Sequence, residues 1–288
     1  FLGMLVRGVG WLDGVAGLGG WQWLFFLEGI PSVALGFVVL RVLPNGPANV
    51  TWLDDSEKAA LAAALSPPQA GAKERHTLRD ALGDGRVWLL ATIYFAFAMG
   101  LYGLNMWVPQ ILRDILAGSM RSVGLTTAIP YLLAAISMVL WGRYTDRTGR
   151  YRQHLVFTTG LAGVSLIAAS AVLKMGPVPT VIALSLGIMG LFSSFGPFWT
   201  LPTAFLRGTA AAGGIAIINS LGNLGGFAAP SFVGLIKQLT GSFAGGIAAI
   251  GGGLLVACAL VLVGTGGARA QSASASTSRG NSNASSDR

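Results

Sequence analysis

Two pairs of polar side chains lie at helical spacing inside long apolar runs of the sequence. Tyr102 and Asn105 are three residues apart, and Asn219 and Asn223 are four apart, so each pair shares one face of a helix. Hydroxyls and carboxamides donate and accept hydrogen bonds, and the indole of Trp199 in a third run adds a flat apolar surface. Each amide alone is best explained as an interhelical hydrogen bond of about 0.6 kcal/mol. Together, the set predicts a polar cavity that binds a small solute.

The sequence lacks the residues that metal, redox or hydrolytic chemistry needs. Cys258 is the only cysteine, and His76 and His154 are the only histidines. No nucleophile elbow, paired-histidine zinc motif or phosphate-binding loop is present. Both histidines adjoin basic loops, which favours solvated or interfacial side chains. We therefore predict no enzyme activity, no metal and no cofactor.

The composition is that of a membrane protein. Hydrophobic residues make up 53% of the 288 residues and charged residues only 10%, whereas soluble domains carry about 25% charged residues. The net charge of +8 is spread over short loops, without a face of interleaved basic and aromatic residues. We therefore predict contact with the lipid bilayer and no binding of nucleic acid.

A basic turn at residues 142–152 fixes the orientation of the apolar runs around it. It carries four arginines, and each would cost roughly 2.5–3.5 kcal/mol at the centre of a membrane-spanning helix. Lys and Arg accumulate on the cytoplasmic side, so this turn is cytoplasmic and the other loops alternate from it. A span needs about 20 apolar residues. The predicted spans are 21–43, 87–112, 122–142, 155–173, 178–199, 208–235 and 243–264.

Helix-interrupting residues lie close to the candidate cavity residues. Gly100, Gly103 and Pro109 fall in one span, and Ser193-Ser194 precedes Gly196-Pro197 in another. Glycine and proline inside a span loosen its backbone hydrogen bonding. Broken helices with convergent polar groups near the bilayer midplane are typical of substrate sites in secondary carriers. We therefore predict breaks in both helices.

The sequence divides into four parts. They are the end of a first helical bundle at 1–43, a cytoplasmic loop at 44–85, a six-helix bundle at 86–264 and a disordered tail at 265–288. In the cytoplasmic loop, Asp54 or Asp55 is predicted to cap an amphipathic helix through Leu65.

Glu28 lies in the first predicted span. A carboxylate inside the membrane is a candidate for function, but the favoured explanation is that Glu28 braces a neighbouring helix.

Five stretches of the sequence resemble one family of carriers. The basic turn, Gly142-x-x-x-Asp146-Arg147-x-Gly149-Arg150, is similar to the loop motif of the major facilitator superfamily, in its copy between family helices 8 and 9. The others resemble the anion:cation symporter family within it. They are GWQWLF at 20–25 with EGIP at 28–31, YGLNMWVPQ at 102–110, GPFW at 196–199 and GIAIINSLGNLGG at 214–226.

The resemblance implies an all-α membrane protein with the major facilitator fold, in the cytoplasmic (inner) membrane. The family has two six-helix bundles and takes up organic anions with protons, among them sugar acids, tartrate and aromatic carboxylates. This chain would hold the end of helix 5, helix 6 and the carboxyl-terminal bundle. The missing amino-terminal bundle would supply the carboxylate-binding arginine and the proton-coupling acids. Trp199 and Asn219 match family substrate contacts, with Asn223, Tyr102 and Asn105 as further candidates.

The turn motif also carries a gating hypothesis. We expect Asp146, held by neighbouring arginines, to dock at the positively polarised amino terminus of the helix that begins near Thr209. This contact would latch the cytoplasmic gate in the outward-facing state. The alternative is that Asp146 only neutralises a topogenic loop. The predicted gating loop comprises Gly142, Asp146, Arg147, Gly149 and Arg150.

A second class of function fits the same residues. A membrane-embedded solute sensor, or a fragment of a carrier that does not transport, would keep the fold and the binding face without moving the solute. Uptake into proteoliposomes separates a carrier from both.

Overall fold

The structure is a computed structural model, and it describes residues 10–44, 46–65, 78–116, 120–206 and 208–264. Helices joined by turns make up this described part, which contains no strand. The chain forms two compact units, residues 1–74 and residues 75–288. The predicted disordered tail at 265–288 and the predicted helix end before residue 10 lie outside the described residues.

The first unit contains one long apolar helix and one short polar helix. Helix α1 spans Gly20–Val42 and helix α2 spans Asp55–Leu65. Asp13, in the turn before α1, accepts a hydrogen bond from the first N–H of the helix, that of Gly20, at 2.7 Å through its Oδ1. No residue of α1 is buried within the unit, and Glu28 is exposed. Lipid or another bundle must therefore cover the apolar surface of α1.

Asp54 caps α2; the sequence had predicted either Asp54 or Asp55 as the cap. Its Oδ1 accepts the backbone N–H of Glu57 at 2.8 Å and the hydroxyl of Ser56 at 2.7 Å. The carboxylate of Glu57 in turn accepts the backbone N–H of Asp54 at 3.1 Å. This reciprocal arrangement is a capping box. The hydrogen bond from the Glu57 backbone, followed by that from the Ser56 side chain, lowers the pKa of Asp54.

A peptide of residues 52–65 is expected to lose helix content as the pH falls through the lowered pKa of Asp54. The capped helix is fully stabilised above the ordinary aspartate pKa of about 3.9 and loses that contribution as the carboxylate is protonated. Circular dichroism measures the change. Asp54→Asn is the matched control, because asparagine caps a helix without titrating. Identical pH profiles for the two peptides would contradict a role for the Asp54 charge.

The second unit begins with a short helix inside the predicted cytoplasmic loop at 44–85, and long helices follow it. Each predicted span from residue 87 onward corresponds to one long helix. No span passes the end of its helix by more than one residue, and several helices are longer than the predicted span. In chain order the helices are α3 Leu78–Gly83, α4 Gly85–Leu116, α5 Met120–Thr148, α6 Tyr151–Val172, α7 Pro177–Phe205, α8 Gly208–Thr240 and α9 Ala244–Gly264.

Six helices of the described chain are long and apolar enough to cross a membrane, namely α1, α4, α5, α6, α7 and α9. Helix α8 has 33 residues but is not among them. Asn219, Asn223 and several glycines dilute its apolar residues. The predicted span at 208–235 is therefore less apolar than the other six, as expected for a helix that lines a polar cavity.

Close backbone contacts hold the second unit together. Helix α4 packs along α8, α6 packs between α7 and α9, and α5 packs on α7. At the α6–α7 contact, a Cβ on Gly190 would lie 2.7 Å from the carbonyl oxygen of Thr158. At the α6–α9 contact, a Cβ on Gly163 would lie 2.9 Å from the carbonyl oxygen of Gly251. Small residues are what lets membrane helices approach this closely.

The basic turn is shorter than the sequence predicted. Helix α5 continues through Arg143 and Arg147 to Thr148, and only Gly149 and Arg150 connect it to α6. Gly149 has φ +64°, a left-handed conformation that favours glycine. Its N–H caps the helix by donating to the carbonyl of Thr145 at 2.9 Å. Arginine is a good helix former, so a charged stretch outside the bilayer continues the helix.

Candidate functional site

The two asparagines of α8 form a hydrogen-bonded pair on an exposed face. The Nδ2 of Asn223 donates to the Oδ1 of Asn219 at 3.0 Å and to its backbone carbonyl at 2.8 Å. Both residues are exposed. Within the described chain this leaves the amide N–H groups of Asn219 and the carbonyl of Asn223 without partners. The pair therefore offers one donor group and one acceptor side by side.

Trp199 of α7 lies beside Tyr94, which is not among the residues predicted for the site. The ring centroids of Trp199 and Tyr94 are 5.0 Å apart in an edge-on arrangement, and Phe198 is 5.3 Å from Trp199. Tyr94 also stacks on Phe198, with centroids 5.4 Å apart and an interplanar angle of 17°. Tyr94 belongs to α4, so it connects α4 to the tryptophan of α7. Its position eight residues before Tyr102, on the same helix face, was the available signal.

Tyrosines of α4 fit against glycines of α8. The ring of Tyr94 lies against Gly222 and the ring of Tyr102 lies against Gly226, where any Cβ would overlap the ring. Gly222 and Gly226 share a helical stripe with the asparagine pair. The structure thus brings Tyr94, Tyr102, Trp199 and the asparagine pair to neighbouring surfaces of α4, α7 and α8.

Asn105 is less well connected than the other candidates. It is exposed, one turn beyond Tyr102 on α4, and forms no hydrogen bond within the described chain. Its role stays a prediction from spacing.

The predicted helix breaks are absent. Helix α4 runs without interruption through Gly100, Gly103 and Pro109, and α7 runs through Gly196-Pro197. Proline and glycine loosen a helix, but the tight packing of α4 on α8 and of α7 on α6 keeps both regular.

The two serines of α7 face the interior of the bundle. Ser193 Oγ lies 3.0 Å from Ser137 Oγ of α5, and Ser194 donates to Thr158 of α6 at 2.9 Å. Both serines are buried. Both serines form interhelical hydrogen bonds. The sequence alone could not distinguish this structural role from a role in binding a solute.

The helix stretches that carry the candidate site residues have no formal charge. Residues 87–112 of α4, all of α7 and residues 208–236 of α8 contain no Asp, Glu, Lys or Arg. A carboxylate in a low-dielectric site needs a cation or several donors to offset its lost hydration. This face therefore suits the uncharged part of a ligand.

The gating-loop residues gather at one end of α5 and α6. Asp146 is exposed, and its Oδ1 lies 3.3 Å from the hydroxyl of Tyr151, which donates to it. Within the described chain Asp146 forms no ion pair, so the expectation that arginines hold it is wrong in this structure. Tyr151 is the first residue of α6, directly across the two-residue turn, and its hydroxyl binds the Asp146 carboxylate instead. The other members are Gly142 and Arg147 within α5 and Gly149 and Arg150 in the turn.

His154 is buried, contrary to the solvated position that the sequence suggested. It is 8% exposed, and its Nε2 lies 2.7 Å from the hydroxyl oxygen of Thr148. The rings of Trp141 and Tyr144 meet it edge-on at 5.5 and 5.0 Å. The short turn folds the start of α6 onto the end of α5 and covers the imidazole. In the part of the chain that the structure describes, no group of three or more His, Cys, Asp or Glu side chains could hold a metal ion.

Comparison with known proteins gives consistent matches. Residues 3–230 match the family model of the Major Facilitator Superfamily. A protein of Agrobacterium vitis named for tartrate transport is 43% identical over 253 residues, which are 88% of this chain and 58% of that protein. The quinolone resistance transporter of Acinetobacter baumannii is 39% identical over 82% of this chain and 54% of its own length. The inner membrane transport protein RhmT of Escherichia coli is 33% identical over 88% and 57%. The chain thus spans a little over half the length of these relatives.

A solved structure shares the fold. The outward-facing crystal structure of a bacterial homologue of the iron transporter ferroportin superposes with a TM-score of 0.53 and 17% identity, covering 72% of this chain and 52% of that one. At this identity the likeness concerns the fold alone, and it agrees with the predicted all-α membrane fold.

Proposed function

The chain belongs to the Major Facilitator Superfamily, and on that premise we propose that it forms the carboxyl-terminal part of a proton-coupled carrier for a small organic anion. The carrier lies in the cytoplasmic (inner) membrane and works by alternating access, with one bundle rocking against the other. The name of the Agrobacterium relative, which refers to tartrate, supports an organic acid as substrate.

The observation that carries this proposal is the exposed Asn219–Asn223 pair on α8. Polar side chains inside membrane-spanning helices are costly unless they serve packing or function. These two bond to each other and are still exposed, and the ring of Tyr94 lies against Gly222 between them. A cavity that binds solute between the bundles accounts for that exposure.

The pairing of the two amides favours a hydroxylated ligand. A hydroxyl group both donates and accepts, so one hydroxyl can pair with the Asn223 carbonyl and accept from the Asn219 amide. A carboxylate only accepts hydrogen bonds, and the Asn223 carbonyl would repel it. We therefore assign the hydroxyl-bearing carbons of the substrate to this pair.

The carboxylate of the substrate is assigned to the partner bundle. The described face offers no cation, so an amino-terminal six-helix bundle must supply the balancing charge and the proton-binding acids. The substrate then bridges the two bundles, with its charged end on one and its hydroxyls on the other.

Uptake of labelled tartrate into proteoliposomes of the complete protein tests this function. We expect accumulation that increases when the outside is more acidic, and weak competition by succinate, which has the same two carboxylates but no hydroxyls. Asn223→Leu should abolish the preference for tartrate over succinate, whereas Leu224→Ala, one residue along α8, should keep it. Substrate binding without uptake would contradict the carrier and favour the sensor.

Asp146→Asn is expected to shift the complete carrier toward the inward-facing state by roughly fivefold. We propose that Asp146 leaves Tyr151 and docks at the amino terminus of α8 when the cytoplasmic gate closes. A charge at a helix terminus contributes up to about 1 kcal/mol, which sets the size of the shift. Tyr151→Phe removes the competing hydrogen bond and should shift the carrier the other way. Cysteine accessibility from each side measures the populations, and unchanged accessibility in both variants would refute the latch.

A further inference from the structure

One face of α5 is an exposed apolar stripe that ends in two arginines. The spacing along the stripe alternates between four and three residues, which keeps all its members on one side of a helix. The four apolar side chains are between 39% and 60% exposed, and both arginines are exposed. The members of this α5 stripe are Ile129, Leu133, Ile136, Leu140, Arg143 and Arg147.

The arginines of the stripe have no anion among the described residues. The nearest carboxylate along the chain, Asp146, accepts a hydrogen bond from Tyr151 instead. Arg152, across the turn, donates to the carbonyls of Val261 and Leu262 at the end of α9. Three guanidinium groups therefore remain available for an external anion. They are those of Arg143, Arg147 and Arg150.

Aromatic rings mark the level of the arginines relative to the bilayer. Tyr144 is exposed between the two arginines, and Trp141 stacks on the exposed Phe157 of α6, with centroids 5.1 Å apart and an interplanar angle of 13°. Tyrosine and tryptophan concentrate where headgroups meet the acyl chains. The arginines thus lie at headgroup level, with the apolar part of the stripe running away from them toward the bilayer core.

Helices α5 and α6 leave this surface open. A two-residue turn joins them, yet each packs more extensively on α7 than on the other. The side of α5 that carries the stripe is therefore not filled by its neighbour in sequence.

We propose that an anionic phospholipid binds along the α5 stripe, with its phosphodiester on Arg143 and Arg147 and an acyl chain on Leu140 and Ile136. The surface is complementary to an amphiphile, because its apolar side chains lead to two arginines that can only donate hydrogen bonds. Guanidinium groups bind phosphate oxygens through paired hydrogen bonds. A zwitterionic headgroup would add a cation beside the arginines. A protein helix on the stripe would cover the apolar track and leave both arginines without an anion.

Native mass spectrometry of the detergent-purified protein tests this site. The probes are dioleoyl phosphatidylglycerol, dioleoyl phosphatidylcholine and, as a soluble headgroup without acyl chains, glycerol phosphate. Each arginine near an anionic surface strengthens binding measurably, so we expect phosphatidylglycerol to bind about tenfold more tightly than phosphatidylcholine. Arg143→Gln with Arg147→Gln should abolish that difference. Arg113→Gln with Lys174→Gln, which removes two exposed positive charges at the other end of the bundle, should keep it.

A further variant separates the acyl-chain contact from the charge. Leu140→Asp should weaken phosphatidylglycerol binding while both arginines remain. Equal affinities for the two lipids, an equal loss in the two double variants, or an unaffected Leu140→Asp variant would each overturn the proposal. Competition by glycerol phosphate at equal concentration would also overturn it, since the site would then bind a soluble anion. None of these outcomes depends on the transported substrate.

Discussion

Gly225→Ala is expected to force α4 away from α8 and to lower the unfolding temperature of the protein. A Cβ at this position would overlap the carbonyl oxygen of Phe95 and lie 3.1 Å from Cγ of Met99. The first of these neighbours is backbone, so no side-chain rotation relieves the overlap. Overpacking of a core costs roughly 1–3 kcal/mol. The α4–α8 contact is the most extensive in the described chain, so the displacement affects a whole helix pair.

Thermal unfolding of the purified variant measures this cost. Gly252→Ala in α9 is the matched control, because a Cβ there meets nothing within 4 Å. Alanine is the better helix former by up to about 1 kcal/mol, so the control should unfold at the same or a higher temperature. Equal unfolding temperatures for the two variants would show that α4 and α8 do not touch at Gly225.

Trp199→Ala is expected to weaken substrate binding by roughly tenfold to a hundredfold, the scale of losing one aromatic anchor at a binding surface. Tyr94 and Phe198 hold the indole at centroid distances of 5.0 and 5.3 Å. The part of the Trp199 indole that these rings leave free therefore has a fixed orientation for contact with a ligand. Alanine removes that surface and the indole N–H together.

A second tryptophan serves as the control for Trp199. Trp107 donates to the carbonyl of Pro230 at 3.1 Å and packs on Phe243, so its indole N–H is used in joining α4 to α8. Trp107→Phe should lower the unfolding temperature and leave affinity unchanged. Trp199→Phe should recover part of the affinity that Trp199→Ala loses. Wild-type affinity in Trp199→Ala would remove Trp199 from the binding site.

The helices were predictable because each long apolar run can be stable in lipid only as a helix. Position along the run also predicted that Asn219 and Asn223 share a face, and the pair is hydrogen-bonded. The cap of α2 was predicted at Asp54 or Asp55; the structure places it at Asp54 and adds the return hydrogen bond of Glu57.

Features that depend on contact with a neighbouring helix were not predictable from the sequence. Ser193 and Trp199 both interrupt the same apolar run, but only the packing of α5 and α6 on α7 shows that the serine is internal. The sequence signal for Tyr94 is only its position eight residues before Tyr102, and its importance comes from Gly222 on another helix. His154 is covered by Trp141 and Tyr144 because the turn is shorter than the charge pattern suggests.

Substrate protection of a single cysteine tests the central claim most directly. In the complete protein with Cys258→Ser, Asn219→Cys is treated with a membrane-impermeant thiol reagent, with and without tartrate. Val164→Cys, on an exposed apolar surface of α6 away from the cavity, is the control. A water-filled binding face on α8 predicts that Asn219→Cys reacts, that tartrate slows the reaction, and that the control does neither. An Asn219→Cys variant that stays unreactive, or that reacts equally with and without an organic acid, would contradict the account.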